Sequence, residues 1–179
     1  HTPPACIVFL GDGLTEHFDL SVFARNDVVN RGIIGDFTKS MNTRLEEIVQ
    51  ASPSKVFIMA GINDIREKLP LFLIKRHLKC MVETIREKSP GTQIYIQSIL
   101  PIPVRYNFID PDHHINKVIL RMNKKMEKLC QQQNIKFIDL YPHFERDGEL
   151  NPLFKDEFHG INREGYLLWI ELIRPYVEK

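Results

Sequence analysis

The sequence has few cysteines and no apolar stretch long enough to cross a membrane. Cys6, Cys80 and Cys130 lie far apart, unlike the closely spaced sets that bind zinc or build a disulfide framework. The apolar runs all fall well short of the roughly 18 residues that a membrane-spanning helix needs. We therefore expect no metal, no cofactor held by cysteines, no disulfide scaffold and no membrane span.

The chain also lacks an excess of charge of one sign. It has 24 Lys and Arg against 23 Asp and Glu, which gives a formal net charge of +1. Proteins that bind nucleic acids usually carry a basic excess, so no nucleic-acid partner is expected. With 43% hydrophobic and 26% charged residues, the composition is that of a globular protein rather than a disordered one.

A length of 179 residues predicts one domain over residues 1–179. The first ten residues, HTPPACIVFL, have no charged start before a long apolar run, so they do not look like a signal peptide. A soluble protein is expected. Its compartment stays open between the cytoplasm and, after removal of a leader, the periplasm or the exterior. The oligomeric state also stays open.

Short apolar runs alternate with segments of helical periodicity along the chain. The pattern predicts strands at residues 6–10, 28–30, 55–60, 93–100 and 135–140, and helices at residues 37–50, 69–88, 113–133 and 162–176. This alternation is typical of an α/β protein. It predicts a flavodoxin-like three-layer α/β/α sandwich with a five-stranded parallel sheet. Ligands of such sheets bind beyond the carboxyl ends of the strands.

Glycines and short polar residues follow three of the predicted strands. Gly11-Asp12-Gly13 follows the first strand, the segment NRGIIGD with Gly35 follows the second, and Gly61-Ile62-Asn63-Asp64 follows the third. Taken singly, each of these is most simply a turn. Together they bring three sets of hydrogen-bond donors to one edge of the sheet.

An Asp-x-x-His segment, Asp156 to His159, comes shortly before the last predicted helix. This combination suits acyl transfer. His159 would act as general base and acid, and Asp156 would orient its ring. The side-chain amide of Asn63 and the backbone N–H groups of Gly35 and Gly13 would stabilise an oxyanion.

These motifs resemble those of the SGNH hydrolase superfamily, the GDSL-type esterases and lipases. The likeness runs from residue 6 to about residue 176 and rests on four ordered blocks: Gly11-Asp12-Gly13, Gly35, Gly61-Ile62-Asn63-Asp64, and Asp156 with His159. The resemblance implies a flavodoxin-like fold, a Ser-His-Asp triad, an oxyanion hole of residue 13, Gly35 and Asn63, and no cofactor. The family's catalytic serine is absent, because Gly13 occupies its position.

Gly13 has no side chain that can attack a carbonyl, so the acyl-enzyme route is closed in this chain. Loss of a triad nucleophile removes about 10⁶ of rate. The complete set of partner residues favours a parental serine that was replaced, which makes the chain an inactivated variant. A natural ligand-binding pseudoenzyme and slow attack by a water that His159 activates are the alternatives.

The resemblance to short single-domain members implies a small acyl ester as substrate, with acetyl on a carbohydrate expected first and a lysophospholipid or other lipid ester as the rival. Tyr106 and Phe108 follow the fourth predicted strand and are candidates for a substrate rim that contacts a sugar ring. Arg66 is a candidate for binding an anionic group or for a simple ion pair. His17 follows the nucleophile turn and is expected beside the pocket.

Overall fold

The computed structural model of this chain describes residues 5–103, 115–156 and 160–178. Five parallel strands form the main sheet in the order β2-β1-β3-β4-β5. The strands are β1 (Ile7–Gly11), β2 (Val28–Gly32), β3 (Lys55–Met59), β4 (Gln93–Gln97) and β5 (Lys136–Ile138). This strand order is that of flavodoxin-like sheets.

Seven α-helices, two 3-10 helices and a small hairpin complete the described residues. The helices are α1 (Gly13–Glu16), α2 (Thr38–Gln50), α3 (Ile62–Arg66), α4 (Leu71–Lys88), α5 (Ile115–Gln133), α6 (Tyr141–Phe144) and α7 (Arg163–Val177). The 3-10 helices are Leu20–Phe23 and Pro152–Phe154, and the hairpin pairs β6 (Glu145–Arg146) with β7 (Glu149–Leu150). In these residues no helix is both long and apolar enough to cross a membrane.

Helices cover both faces of the sheet. Successive strand residues point to opposite sides, so each strand contributes side chains to two cores. Val8 and Leu10 of β1 join a core with the buried faces of α2, α4 and α5. Ile7 and Phe9 join a second core with α7 and the 3-10 helix Leu20–Phe23. This arrangement confirms the predicted α/β sandwich with five parallel strands.

The second core is built around stacked aromatic rings. Phe9, Phe57 and Tyr95 are aligned across β1, β3 and β4, with ring centroids 4.7 Å and 4.5 Å apart. Trp169 of α7 is fully buried and stacks on Phe18 at 4.5 Å. This packing fixes α7 against the sheet, and α7 in turn follows the segment that was predicted to carry the catalytic histidine.

The fourth strand is shorter than its sequence predicts. The prediction placed residues 93–100 in a strand, whereas β4 ends at Gln97. Beyond that point Ser98 N–H still donates to the Ile138 carbonyl at 3.0 Å, but the following residues bond to side chains of α5 instead of to a strand. Pro101 and Pro103 cannot donate a ladder hydrogen bond, which explains why the sheet stops here.

Candidate active site

A pocket of about 350 Å³ opens beyond the carboxyl ends of the first four strands. Gly13, Gly35 and Asn63, the three predicted oxyanion donors, all line it. Their positions follow from the fold, since β1, β2 and β3 are parallel neighbours whose ends meet at one edge. Sequence positions 13, 35 and 63 therefore converge on one cavity.

Position 13 begins α1, and Asp12 caps that helix by accepting a hydrogen bond from Leu14 N at 3.1 Å. Gly13 is not among the residues with positive φ, so its backbone suits any L-residue. A Cβ at this position would lie 3.2 Å from Cγ1 of Ile34 and otherwise no closer than 3.7 Å to the atoms nearest it. Ile34 is 60% exposed and has room to move. Position 13 does not require glycine.

Gly11, two residues earlier, shows the opposite situation. A Cβ there would lie 2.8 Å from the backbone oxygen of Met59 and would collide with the side chain of Thr15. Two glycines of the same motif thus differ: the backbone can accept a side chain at position 13 and cannot at position 11.

The loop after β2 carries Gly35, whose φ of 76° lies in the left-handed region that favours glycine. The loop is held on two sides. Ile34 N–H donates to a carboxylate oxygen of Glu16 at 2.5 Å, and the Asp36 carboxylate pairs with Arg44 at 2.8 Å. These bonds fix the orientation of the Gly35 peptide relative to α1.

Asn63 links the loop after β3 to the loop after β2. Its amide nitrogen Nδ2 donates to the Asp36 carbonyl at 2.8 Å. An amide nitrogen carries two hydrogens, so one donation still leaves a second hydrogen for a ligand. Asp64 next to it is fully buried and accepts hydrogen bonds from the Thr38 backbone N–H at 3.0 Å and hydroxyl at 2.6 Å. Both residues therefore hold the two oxyanion loops together.

Asp156 is bonded to a residue that lines the pocket. Its N–H donates to the Gly160 carbonyl at 3.3 Å, Lys155 bridges to Ile161, and Gly160 and Ile161 line the pocket. Asn162 caps α7 through a bond from Gly165 N–H at 3.0 Å. His159, the predicted general base, lies outside the described residues, as do Tyr106 and Phe108 of the predicted substrate rim.

Tyr166 of α7 interacts both with the start of α1 and with the charge of Asp156. The Tyr166 hydroxyl donates to the Leu14 carbonyl at 3.0 Å. Burial raises the pKa of Tyr166, and the carboxylates of Asp12 and Asp156 raise it further. The carboxylates of Asp156 and Asp12 therefore act on the same residue of α7, Tyr166.

His17 and Arg66 both line the pocket, as predicted for His17. The Nδ1 of His17 lies 2.7 Å from the Gly13 carbonyl, and since a carbonyl only accepts, this nitrogen is the donor. Arg66 ends α3, and its charge opposes the burial that raises the pKa of the Asp12 carboxyl. Arg66 therefore brings positive charge to the polar side of the pocket, whereas the Nδ1 hydrogen of His17 is used by the Gly13 carbonyl.

Two parts of the pocket were not identified from the sequence. Asp12 lines it, and so does the apolar segment from Ile99 to Pro103 on the side of β4. The two prolines after the fourth strand were a signal that this segment leaves the sheet. Among the described residues, no group of three or more His, Cys, Asp or Glu is arranged to hold a metal ion.

Burial raises the pKa of the Asp12 carboxyl to about 6, against the opposing effects of the Leu14 hydrogen bond and of Arg66. Its pKa is higher in the folded chain than in the unfolded one, where it is about 3.9. The stabilising contribution of the protonated form is complete below about pH 4 and is lost as the pH rises through about 6. We expect Asp12→Asn, which keeps a capping oxygen, to gain about 2 kcal/mol of stability relative to the unchanged chain between pH 4.5 and 7.5.

Urea unfolding of both proteins at these two pH values measures the gain. Asp27→Asn is the matched control. The hydrogen bond and charge of Arg25 lower the pKa of Asp27, so its replacement is expected to give a small change of the opposite sign. Equal pH dependence of stability in the unchanged chain and in Asp12→Asn would show that Asp12 titrates as an exposed carboxyl.

Residues 7–168 match the model of the GDSL-like lipase/acylhydrolase family. This match covers most of the chain, and the protein belongs to that family. None of the curated proteins matches the sequence.

Solved structures of GDSL hydrolases share the fold. A GDSL-like lipase from Bacteroides thetaiotaomicron is 24% identical, with a TM-score of 0.85 over 99% of this chain and 91% of its own. A catalytic mutant of an acetylxylan esterase from Geobacillus stearothermophilus is 17% identical, with a TM-score of 0.75 over 99% of this chain and 95% of its own. The flavodoxin-like architecture is therefore that of the family.

Proposed function

We propose that this chain is the scaffold of a serine carboxylic-ester hydrolase in which Gly13 occupies the nucleophile position. The observation that carries the proposal is the geometry at residue 13. Its backbone accepts a side chain, and it faces the pocket that Gly35 and Asn63 also line. Without a hydroxyl at position 13, the chain is inactive by the covalent route.

With serine at position 13, the chemistry follows from the surrounding groups. The serine Oγ attacks the ester carbonyl carbon while His159 accepts its proton, and Asp156 orients the imidazole. The carbonyl oxygen becomes an oxyanion that accepts hydrogen bonds from the N–H groups of residues 13 and 35 and from Asn63 Nδ2. His159 then returns the proton to the leaving alcohol. Water hydrolyses the acyl-serine by the same steps, releasing the acid.

The retained partners support an origin by replacement of a serine. Asp156, His159, Asn63 and Gly35 are all present although a chain without a nucleophile has no catalytic use for them. The backbone at position 13 gives no conformational reason for glycine. If the chain is instead a natural binding protein, the Asn63 and Gly35 donors would hold the carbonyl or carboxylate of a ligand.

An acetyl ester of a carbohydrate is the first substrate class, supported by the likeness to an acetylxylan esterase. A lipid ester is the second, and the apolar segment Ile99 to Pro103 favours it. Hydrolysis of p-nitrophenyl acetate by Gly13→Ser, beside the unchanged chain, tests the chemistry. Acetylated xylo-oligosaccharides and a lysophospholipid, offered to the same variant, decide between the two classes.

A further inference from the structure

The charged residues of this chain are unevenly distributed over the molecule. Helix α5 carries five Lys and Arg and one Glu, and α4, which packs beside it, carries five Lys and Arg and two Glu. The two helices thus have net charges of +4 and +3 in a chain of net charge +1, so all other residues together carry −6. Both helices cover the same face of the sheet, so the positive charge is concentrated in one layer of the sandwich.

The cations of α5 form a stripe along its outer face. All five are exposed, and they are here called the basic stripe: Lys117, Arg121, Lys124, Lys125 and Lys128. Apart from Lys125, they follow one another at intervals of four, three and four residues, which places them on one side of the helix. At 1.5 Å of rise per residue, the stripe is about 17 Å long.

No residue of the basic stripe has an ion-pair partner within the described ranges 5–103, 115–156 and 160–178. On α4, by contrast, Lys79 pairs with Glu83 of the same helix and Lys88 pairs with Glu46 of α2. Several stripe residues lie four positions apart, and like charges at that spacing destabilise a helix. A surface of negative charge placed against the stripe would relieve this repulsion.

The exposed Leu120 indicates which kind of anionic surface suits the stripe. It is 40% exposed and lies one turn from both Lys117 and Lys124. An apolar side chain among cations fits the boundary between lipid headgroups and acyl chains. A nucleic-acid backbone offers no such apolar layer, and the negative charge of the remaining chain would repel a polyanion that extends beyond the stripe. A bilayer contacts only one side of the molecule.

The basic stripe begins close to the pocket. Asn116, directly before Lys117, accepts a hydrogen bond from Ile102 N–H at 2.9 Å, and Ile102 lines the pocket. A membrane that contacts the stripe would therefore lie near the pocket as well.

We propose that the basic stripe binds this protein peripherally to bilayers that contain anionic lipids. The contact is electrostatic and requires no membrane-spanning helix. It is independent of the proposed function, because no residue of the stripe lines the pocket.

Co-sedimentation of the unchanged chain with lipid vesicles tests the proposal. The vesicles consist of phosphatidylcholine alone or with about 30% phosphatidylserine, which supplies the negative surface potential. Each Lys or Arg near such a surface contributes about fivefold in affinity, so we expect the stripe to favour anionic vesicles by up to roughly 10³-fold. Raising the salt from about 0.1 M to about 1 M shortens the Debye length from about 10 Å to about 3 Å and should nearly abolish this preference.

Arg121→Gln with Lys124→Gln removes two charges of the stripe and is expected to weaken binding to anionic vesicles about 25-fold. Arg121→Lys with Lys124→Arg keeps the charge and should bind as the unchanged chain does. If the glutamine pair fails to fold, Lys117→Gln with Lys128→Gln is expected to give the same loss, because it removes two other charges of the same stripe.

Lys39→Gln with Arg163→Gln is the matched control. It removes the same amount of charge from exposed positions on α2 and α7, outside the stripe. Charges more than a Debye length from the membrane are screened, so we expect this pair to weaken binding less than about twofold.

The absence of a preference for anionic over neutral vesicles would overturn the proposal. So would equal losses in the stripe variants and in the control pair. A DNA duplex, offered at the same salt concentration, provides a further arm: binding to DNA without binding to vesicles would identify a different partner for the stripe. All of these measurements use binding alone, so their outcome does not depend on whether Gly13→Ser hydrolyses esters.

Discussion

Gly13→Ser is expected to convert this chain into an esterase, with p-nitrophenyl acetate hydrolysis rising by roughly 10³-fold or more over the unchanged protein. Removal of the serine from a complete triad costs about 10⁶ in rate, which sets the upper limit of the gain. The serine needs no backbone rearrangement, because residue 13 does not have positive φ. Its Cβ requires only that the exposed side chain of Ile34 shift by a few tenths of an ångström.

Two variants separate the nucleophile from other effects. Gly13→Ala introduces the same Cβ without the hydroxyl and is expected to stay at the rate of the unchanged chain. Gly13→Ser with His159→Ala should lose the gain, because no base remains to accept the serine proton. If that double variant were as active as Gly13→Ser, the assigned triad would be incorrect. If Gly13→Ser folded but gained nothing, the binding-protein alternative would take its place.

Asn63→Ala, made in the Gly13→Ser protein, is expected to lower kcat by about 10²–10³-fold with a much smaller change in KM. Loss of one oxyanion donor has an effect of this size because the donor acts on charge that develops only in the transition state. The structure supports this role, since the Asn63 side chain lines the pocket with Gly13 and has one amide hydrogen beyond the bond to the Asp36 carbonyl.

Asn63 also tethers the Asp36 loop, so the experiment needs a control for loop mobility. Arg44→Met releases the same loop from its other side by removing the 2.8 Å ion pair with Asp36, and it leaves every proposed oxyanion donor intact. We expect it to lower kcat by less than about tenfold. Equal losses in Asn63→Ala and Arg44→Met would identify Asn63 as a residue that only positions the loop.

Much of the architecture was predictable because its signals are local. The predicted runs at residues 55–60 and 69–88 correspond to β3 and α4, since buried parallel strands are continuously apolar and a helix facing a core repeats its apolar residues every three to four positions. Helices α3 and α6 were not predicted, because four or five residues are too few to show a period.

The candidate site was predictable only as a set of motifs. Parallel strands end at one edge, so the glycines and Asn63 could be expected to meet there. The sequence did not indicate that Asp64 would bond Thr38, 26 residues away. The buried state of Asp12, which raises its pKa to about 6, was not predictable either, because burial depends on what the rest of the chain packs around the carboxyl.

By itself the sequence determined the fold class, the order of the motifs and the absence of a nucleophile at position 13, because apolar periodicity and residue identity are local properties. Only the tertiary structure decided that position 13 can accept a side chain, since this depends on the φ angle and on where Ile34 lies. The clamping of Ile99 and Ile102 by Asn123 and Asn116 was likewise decided in three dimensions. These bonds join residues 14 and 24 positions apart, and they form because the fold packs α5 against the segment that follows β4.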